Sequence, residues 1–416
     1  MTRTPARPLL RSAHALLDQA ASSASNVLAL LLLARALDAD TFGRFSLGYA
    51  VLVLVLSLTR AALATRITLT PDHAGAREVT ATVLGALVLL ALPTALLVTG
   101  AGLLLTGGQD PGLQLLIGLA TPVVCAQDVL RYGAVAAGRP GTALLSDLTW
   151  LGLVALALVL GTGSRTTLLV WAAGAVAALV VALAGLRTRP EPARGRELLV
   201  RLARREDPLA ASLAANSVIA SLGLLAVLTA AAHLIDPAAA GSLRAAATAM
   251  GPVNVAFAYV SLSLAPTLVR RPRTQDRRFC AAAALVLTTG TALWGACLLL
   301  LPDDLGRTAF GATWAGTAGV LPFTVAEYVL TAVGTAAVLG LKVREQARDL
   351  LRQRVVTTAL SVLAGAVLAW TTRDVRAVAA AVAVAAGVQT GLGWHSLLTR
   401  PAPLPATTPT LRNADA

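Results

Sequence analysis

Charge is scarce in this sequence, and lysine almost absent. Only 13% of the 416 residues are charged, and Lys342 stands alone among 34 basic residues that are otherwise arginine. Hydrophobic residues make up 56%. That leaves too little polar surface to coat a soluble globule of this length, so the chain reads as an all-α polytopic membrane protein. In a soluble protein the net charge of +13 would suggest nucleic acid. Here the arginines gather in short runs between apolar segments, which makes them topology signals with anionic lipid as their neighbour, and no nucleic-acid partner is expected.

Cysteine and histidine are equally sparse. Cys125, Cys280 and Cys297 all fall in apolar stretches, too few and too scattered for a disulfide framework or a metal site, and read as small core residues. His14, His73, His233 and His395 lie at predicted boundaries without ligand spacing, so neither metal nor cofactor is expected. A cleavable leader is not evident, because "MTRTPARPLLR" runs into a span with polar residues in its first half.

A hydrocarbon core of ~30 Å needs about 20 mostly apolar residues per helix. On that ruler the sequence predicts spans at 16–37, 42–65, 79–105, 112–137, 142–161 and 166–186, then at 209–234, 239–268, 279–301, 312–341, 351–371 and 375–397. The twelve divide into an N-terminal six-helix bundle (1–186), a basic cytoplasmic linker (187–208), a C-terminal six-helix bundle (209–397) and a disordered cytoplasmic tail (398–416). With the amino terminus inside, 25 of the 34 basic residues fall on inner segments and five on outer ones, which predicts both termini cytoplasmic in the inner membrane. "DADTFG" at 38–43 and "DPAAAG" at 236–241 each close the first helix of a half. Their offset of 198 residues sets Arg244 opposite Ser46 and Asn216 opposite Asp18 and suggests a parallel repeat.

Polar residues inside the spans are the candidate functional groups. At 100° per residue, Asp18, Gln19, Ser22, Ser25 and Asn26 form one stripe on the first helix, with Arg35 on the other side but near the outer end, where its stem can snorkel. Asp18 also has the position of a helix cap near the inner surface. Ser46, Tyr49, Ser57 and Arg60 share a face of the second helix; Thr121, Cys125, Asp128 and Tyr132 share one of the fourth, where Arg131 is an i, i+3 partner for Asp128. Arg244, Thr248 and Gly251 align on the eighth, with Asn254 beside them. On the tenth, Thr324, Glu327, Thr331 and Thr335 align just after Pro322. A shared water-filled cavity between the halves would satisfy all these faces. Structural ion pairing remains open for Asp128 with Arg131, and Asp147 reads as interfacial.

The first two helices, with Asp18, Gln19, Asn26, "LLLARAL", "FGRFSLGYA" and Arg60, resemble those of the polysaccharide flippases, the O-antigen and exopolysaccharide translocases of the multidrug/oligosaccharidyl-lipid/polysaccharide exporter superfamily. "AFGATWAGTAGVLPF" before the tenth helix is similar to that family's pattern in the second half. Twelve spans instead of fourteen, and the scarcity of lysine, set the chain apart from many members. The resemblance implies a non-enzymatic carrier that moves a polyprenyl-diphosphate-linked oligosaccharide from the inner to the outer leaflet by alternating access, beside a polysaccharide polymerase and glycosyltransferases. Arginine suits a lipid diphosphate because it holds phosphate oxygens bidentately and stays charged when buried, which favours Arg60 and Arg244. Ser22, Asn26, Tyr49 and Tyr132 could meet sugar hydroxyls. Asp18, Asp128 and Glu327 are candidates for a coupling ion.

Two other readings compete. A drug or cation antiporter of the same superfamily would need a cavity without net arginine charge. An O-antigen ligase or other lipid-linked glycosyltransferase would need larger outer loops than "GGQDPG" or "PDDLGR".

Overall fold

The computed structural model describes residues 24, 27–68, 70, 72–161, 163–204, 206, 208–257, 268, 276–343 and 347–399. All regular structure among them is helical. A short α1 (Val27–Ala36) precedes α2 (Ala39–Thr59), which runs through a π-helical turn (Arg60–Ala64) into a last α-turn (Thr65–Thr68). Then come α3 (His73–Leu105), α4 (Pro111–Ala136), α5 (Pro140–Val159), α6 (Ser164–Leu186) and α7 (Pro192–Ala203). The remainder consists of α8 (Pro208–Leu234), α9 (Pro237–Ala249), α10 (Asp276–Leu299), α11 (Asp303–Phe310), α12 (Trp314–Val343), α13 (Ala347–Thr372) and α14 (Val375–Thr399). Ten of the described helices are long and apolar enough to cross a membrane, each on a span expected from the sequence. The other two expected spans, 16–37 and 239–268, are described in part, as α1 and as α9 with helix over 251–257. Large apolar side chains such as Leu92, Leu96 and Leu104 on α3 lie exposed on the outside of the bundle, as lipid-facing residues do.

Polar residues start these helices. Asp38 accepts from the Thr41 amide at 2.9 Å and Asp236 from the Ala239 amide at 2.7 Å, capping α2 and α9 at positions 198 residues apart. The two helices also cross where the repeat puts a glycine in each. A Cβ on Gly43 would run into the Pro237 carbonyl, and one on Gly241 would meet the Ala39 carbonyl at 3.2 Å, so the absence of side chains lets the backbones touch.

The core is distributed unevenly along the helices. At the Asp38 end one cluster joins both halves of the chain: Leu33, Phe42, Phe45 and Tyr49 pack with Trp150 and Trp171 on one side and with Ala246, Met250, Phe310 and Trp314 on the other. At the opposite end, called the linker end below, the cores separate. Ile67, Leu84, Leu130 and Leu198 pack in the first half, while Cys280, Ala336, Leu339 and Leu397 pack in the second. Among the described residues the buried core is thus shared at one end, called sealed below, and separate at the other, called divided, although the π-helical turn still touches α8 there.

Within the stretch read as a linker, α7 is a docked helix. It lies against α3, where Gly85 and Gly195 allow backbone contact and Glu191 donates its amide to the Ala81 carbonyl at 3.0 Å. The reading of three cysteines as core residues holds for Cys125 and Cys280 only, since Cys297 is exposed on α10 among leucines that face outward.

Candidate functional site

Two of the candidate groups meet in the first half. Arg60, at the start of the π-helical turn, donates to Asp128 on α4 through Nε and Nη2, both at 2.8 Å. The turn inserts an extra residue into the helical ladder just where this side chain leaves it, and the Thr65 hydroxyl donates to the Arg60 carbonyl at 3.1 Å. Asp128 also lies 3.6 Å from Arg131 one turn on, and Arg131 lies 3.6 Å from Asp147 on α5. Gln127 donates to Asp147 at 2.8 Å and to Ser146 at 3.1 Å, and Ser146 donates to the Ala178 carbonyl of α6. Two carboxylates and two guanidiniums therefore neutralise each other inside four packed helices.

This corrects one expectation and refines another. Asp147 is not interfacial: it is 1% exposed, because it sits two turns inside α5 and faces α4, where Arg131 and Gln127 supply the partners a buried carboxylate requires. Asp128 is paired, as its i, i+3 relation to Arg131 allowed, but its closer partner is Arg60, 68 residues away in sequence. Only Arg60 keeps an open side, its side chain being 41% exposed against 4% for Asp128.

The second group lies on the seam between the halves. Arg244 on α9 places its guanidinium 4.7 Å from the centroid of the Tyr49 ring on α2. That ring belongs to a run of aromatic contacts through Phe45 (5.5 Å) and Trp171 (6.3 Å) to Trp150, which fixes its orientation. Arg244 Nε is buried without a hydrogen-bond partner, and no described carboxylate pairs with this side chain. Further along, Asn254 donates to the Tyr328 hydroxyl at 3.2 Å, and Tyr328 stacks on Phe257. Tyr132 carries the Arg131 guanidinium 5.8 Å from its ring centroid, within the first half.

A third group lies apart from both. A cavity of about 480 Å³ opens within the second half, between α8, α12, α13 and α14, with Glu327, Thr331 and Thr335 on one wall. Glu327 makes no hydrogen bond or ion pair with any described residue. Among the described residues, the polar faces expected to share a cavity form separate groups. The α4 stripe closes on partners within its own bundle, and the α12 stripe faces a cavity within its own. Thr324, read as part of that stripe, is buried and donates to the Val320 carbonyl instead. Asp18, Ser22 and Asn26 lie outside the described residues. No group of three or more His, Cys, Asp or Glu side chains gathers among the described residues.

Gln114 was missed in the sequence. It is fully buried on α4, donates to the Arg44 carbonyl at 3.3 Å, and fills the space left by Gly48 on α2 and Gly102 on α3. A glutamine among apolar residues at the start of the span was the signal.

Such an arrangement, two helical halves meeting at one end with charged groups in each, defines a polytopic all-helical membrane fold. It is the fold of the MOP-superfamily transporters. The chain is similar to an inward-facing multidrug resistance MATE family transporter of that superfamily, with a TM-score of 0.68 and 13% identity over 90% of this chain and 93% of that one. Lipid II flippase MurJ in an inward closed conformation gives a TM-score of 0.67 at 11% identity, covering 94% and 88%. A MOP superfamily transporter from Pyrococcus furiosus, described as having a binding pocket of reverse polarity, gives 0.58 at 14% identity, covering 93% and 94%. No family model and no curated relative matches the sequence.

Proposed function

We propose that the chain is a flippase that carries a polyprenyl-diphosphate-linked oligosaccharide from the inner to the outer leaflet of the cytoplasmic membrane by alternating access. The observation behind this reading is Arg244: a guanidinium on the seam between the halves, 4.7 Å from the centroid of the Tyr49 ring and matched by no described carboxylate. An unneutralised arginine bounded by low-dielectric walls attracts a diphosphate and repels a cationic drug. Arg60 serves as a second contact. Its open side can take a phosphate oxygen, and because Asp128 keeps Arg131, the carboxylate is not left bare when Arg60 turns away. Tyr49 orients Arg244, while Tyr132, Ser22 and Asn26 are offered to the sugar.

Glu327 is the coupling residue in this reading. Asp128 is already neutralised by arginine, whereas Glu327 lines an open cavity with no hydrogen-bond or ion-pair partner among the described residues. The divided linker end is the cytoplasmic mouth, in keeping with the basic charge there. Polymerase and glycosyltransferases are the expected neighbours at the membrane, because they would build and consume such a cargo.

Complementation of a flippase-deficient strain tests the proposal. The wild-type chain should restore surface glycan; Arg244→Ala and the Arg60→Ala/Arg244→Ala double variant should not, at equal protein level by blotting. Restoration by the double variant would remove these arginines from the substrate path.

A further inference from the structure

The cavity between α8, α12, α13 and α14 is lined by more polar groups than the surrounding helices satisfy. Among the described residues, the hydroxyls of Thr331 on α12 and of Thr358 and Ser361 on α13 make no hydrogen bond, and neither do the side chains of Glu327 and Arg354. The Thr357 hydroxyl lies 3.4 Å from Gln389 Oε1 on α14, which leaves the amide hydrogens of Gln389 unpaired. Thr335 and Thr390 donate to the Thr331 and Leu330 carbonyls at 2.8 and 2.7 Å, but their oxygens still have lone pairs to offer. Polar atoms left unmatched in an apolar bundle carry a desolvation cost that water or a ligand has to offset.

The rest of the wall is apolar. Leu224, Val338 and Val382 line it, and so does Phe257, the one lining residue from the helical stretch that follows α9. The Phe257 ring stacks on Tyr328 with centroids 6.3 Å apart, and the Tyr328 hydroxyl reaches the Ala247 carbonyl at 3.5 Å, three residues after Arg244. The cavity therefore borders the seam that carries Arg244. Its volume of about 480 Å³ falls in the roughly 300–1,000 Å³ range of small-ligand sites.

We infer that this cavity is a saccharide subsite, which takes one neutral sugar unit of the cargo. That the sugar belongs to a lipid-linked oligosaccharide rests on the proposed function, whereas the choice of a sugar rests on the lining. A lipid tail would leave the polar wall dry and unpaired. A hard metal ion needs oxygen acceptors alone, whereas Arg354 and the Gln389 amide present N–H donors. A cationic drug would meet the guanidinium, and an anion the carboxylate. A sugar suits both kinds of group. Each of its hydroxyls gives and takes a hydrogen bond, so it pairs with Thr331, Thr358 or Ser361 in either direction, donates to Glu327, and accepts from Gln389 or Arg354. Its ring also has an apolar C–H face, for which Phe257 and the aliphatic wall provide the surface. Glu327 keeps its coupling role in this scheme, and discrimination among sugars falls to Ser361 on α13 and Gln389 on α14.

Saturation-transfer NMR on the full-length protein in nanodiscs provides the test, with the free methyl glycosides of glucose, galactose and N-acetylglucosamine as probes. At least one should show saturable transfer. Gln389→Leu and Ser361→Ala should each raise its Kd roughly three- to tenfold, as for the loss of one neutral hydrogen bond, and the double variant should lose it. Phe257→Leu, which keeps bulk but removes the ring, should weaken transfer to the C–H protons of the sugar's apolar face. Variants are compared where they elute as the wild type does, and Ser361→Ala removes only an oxygen, so it stands as the test even where Gln389→Leu misfolds. Absence of saturable transfer from all three glycosides to the wild type would overturn the inference, and so would transfer that the double variant leaves unchanged. Tetraethylammonium should not displace the glycoside; displacement would mark a cation cavity and overturn the inference as well. Glycoside binding that stays intact beside failed glycan complementation would count against the flippase reading alone, since the free glycosides carry no lipid diphosphate.

Discussion

The Arg60 guanidinium closes on the Asp128 carboxylate through two parallel hydrogen bonds, Nε to Oδ2 and Nη2 to Oδ1, each 2.8 Å long. The pair bridges the end of α2 to the middle of α4, so its strength belongs to the packing of the first half as well as to any encounter with substrate.

Removing one partner should therefore be costly. Asp128→Asn leaves Arg60 and the buried Arg131 facing a neutral amide, and should destabilise by roughly 3 kcal/mol, the low end for a broken buried pair because Arg60 keeps an open side. Replacing both members with apolar groups, Arg60→Met with Asp128→Leu, should cost less than Asp128→Asn alone. Thermal unfolding of the detergent-solubilised variants, followed by loss of the monodisperse elution peak, measures the order. An equal loss in the double variant would show that the pair is not the unit we describe.

Arg244 should show the opposite profile, with little effect on stability and a large one on cargo. Losing a charge-assisted phosphate contact costs about 1.5–3 kcal/mol, or roughly 10- to 150-fold in affinity. Arg244→Lys should recover part of the loss, keeping the charge but giving up the fork and the planar group that meets the Tyr49 ring. Binding of a short-chain polyprenyl diphosphate by microscale thermophoresis is the readout, and equal affinity in Arg244→Ala would exclude a phosphate contact.

The helix crossing at the sealed end gives a graded prediction. Gly43→Ala should separate α2 from α9, because its Cβ would meet a backbone carbonyl that has no freedom to move aside. Gly241→Ala should be milder, its nearest neighbours lying at 3.2 Å. A cysteine placed at the buried Leu47 should become reactive toward a membrane-impermeant maleimide in the first variant far more than in the second, in a background with the three native cysteines replaced.

Acid should reveal the cap on α2. The Thr41 amide, and then its hydroxyl, hold the Asp38 carboxyl below its ordinary value. A carboxyl depressed in the folded state stabilises above its unfolded pKa and loses that contribution as pH falls through the folded one. Asp38→Ala should thus cost about 1 kcal/mol near neutrality, and the gap in Tm between variant and wild type should narrow at strongly acidic pH. A constant gap across that range would assign the cost to something other than the ionised cap.

Much of this architecture was legible before any coordinates. Span positions came out close to the helix bounds because bilayer thickness fixes how many apolar residues must follow one another. Asp128, Arg60, Arg244 and Glu327 were found because a charge inside a span is expensive and therefore conspicuous. Their partners were not. Helical periodicity reports which residues share a face, whereas the Arg60–Asp128 pair spans 68 residues and depends on how α2 is rotated against α4. Depth misled for Asp147, counted from the nearest loop when its surroundings were set by α4. The docking of α7 was hidden for a different cause: arginines surround Leu198, Leu199 and Leu202, and so dense a charge reads as a solvated linker although those three leucines form one apolar stripe.

That docked helix also sets the length of a leash. With α7 fastened to α3 through the Gly85–Gly195 contact, the covalent tie between the halves at the linker end is the short stretch from Ala203 to Pro208, not the whole basic segment. Fully extended, five steps of chain reach roughly 18 Å. However far the two halves swing, the end of α7 and the start of α8 cannot part by more than that, so the flank of the mouth beside the tie has a fixed maximum width. Under the proposed function, a bulky headgroup would have to enter from the side away from it.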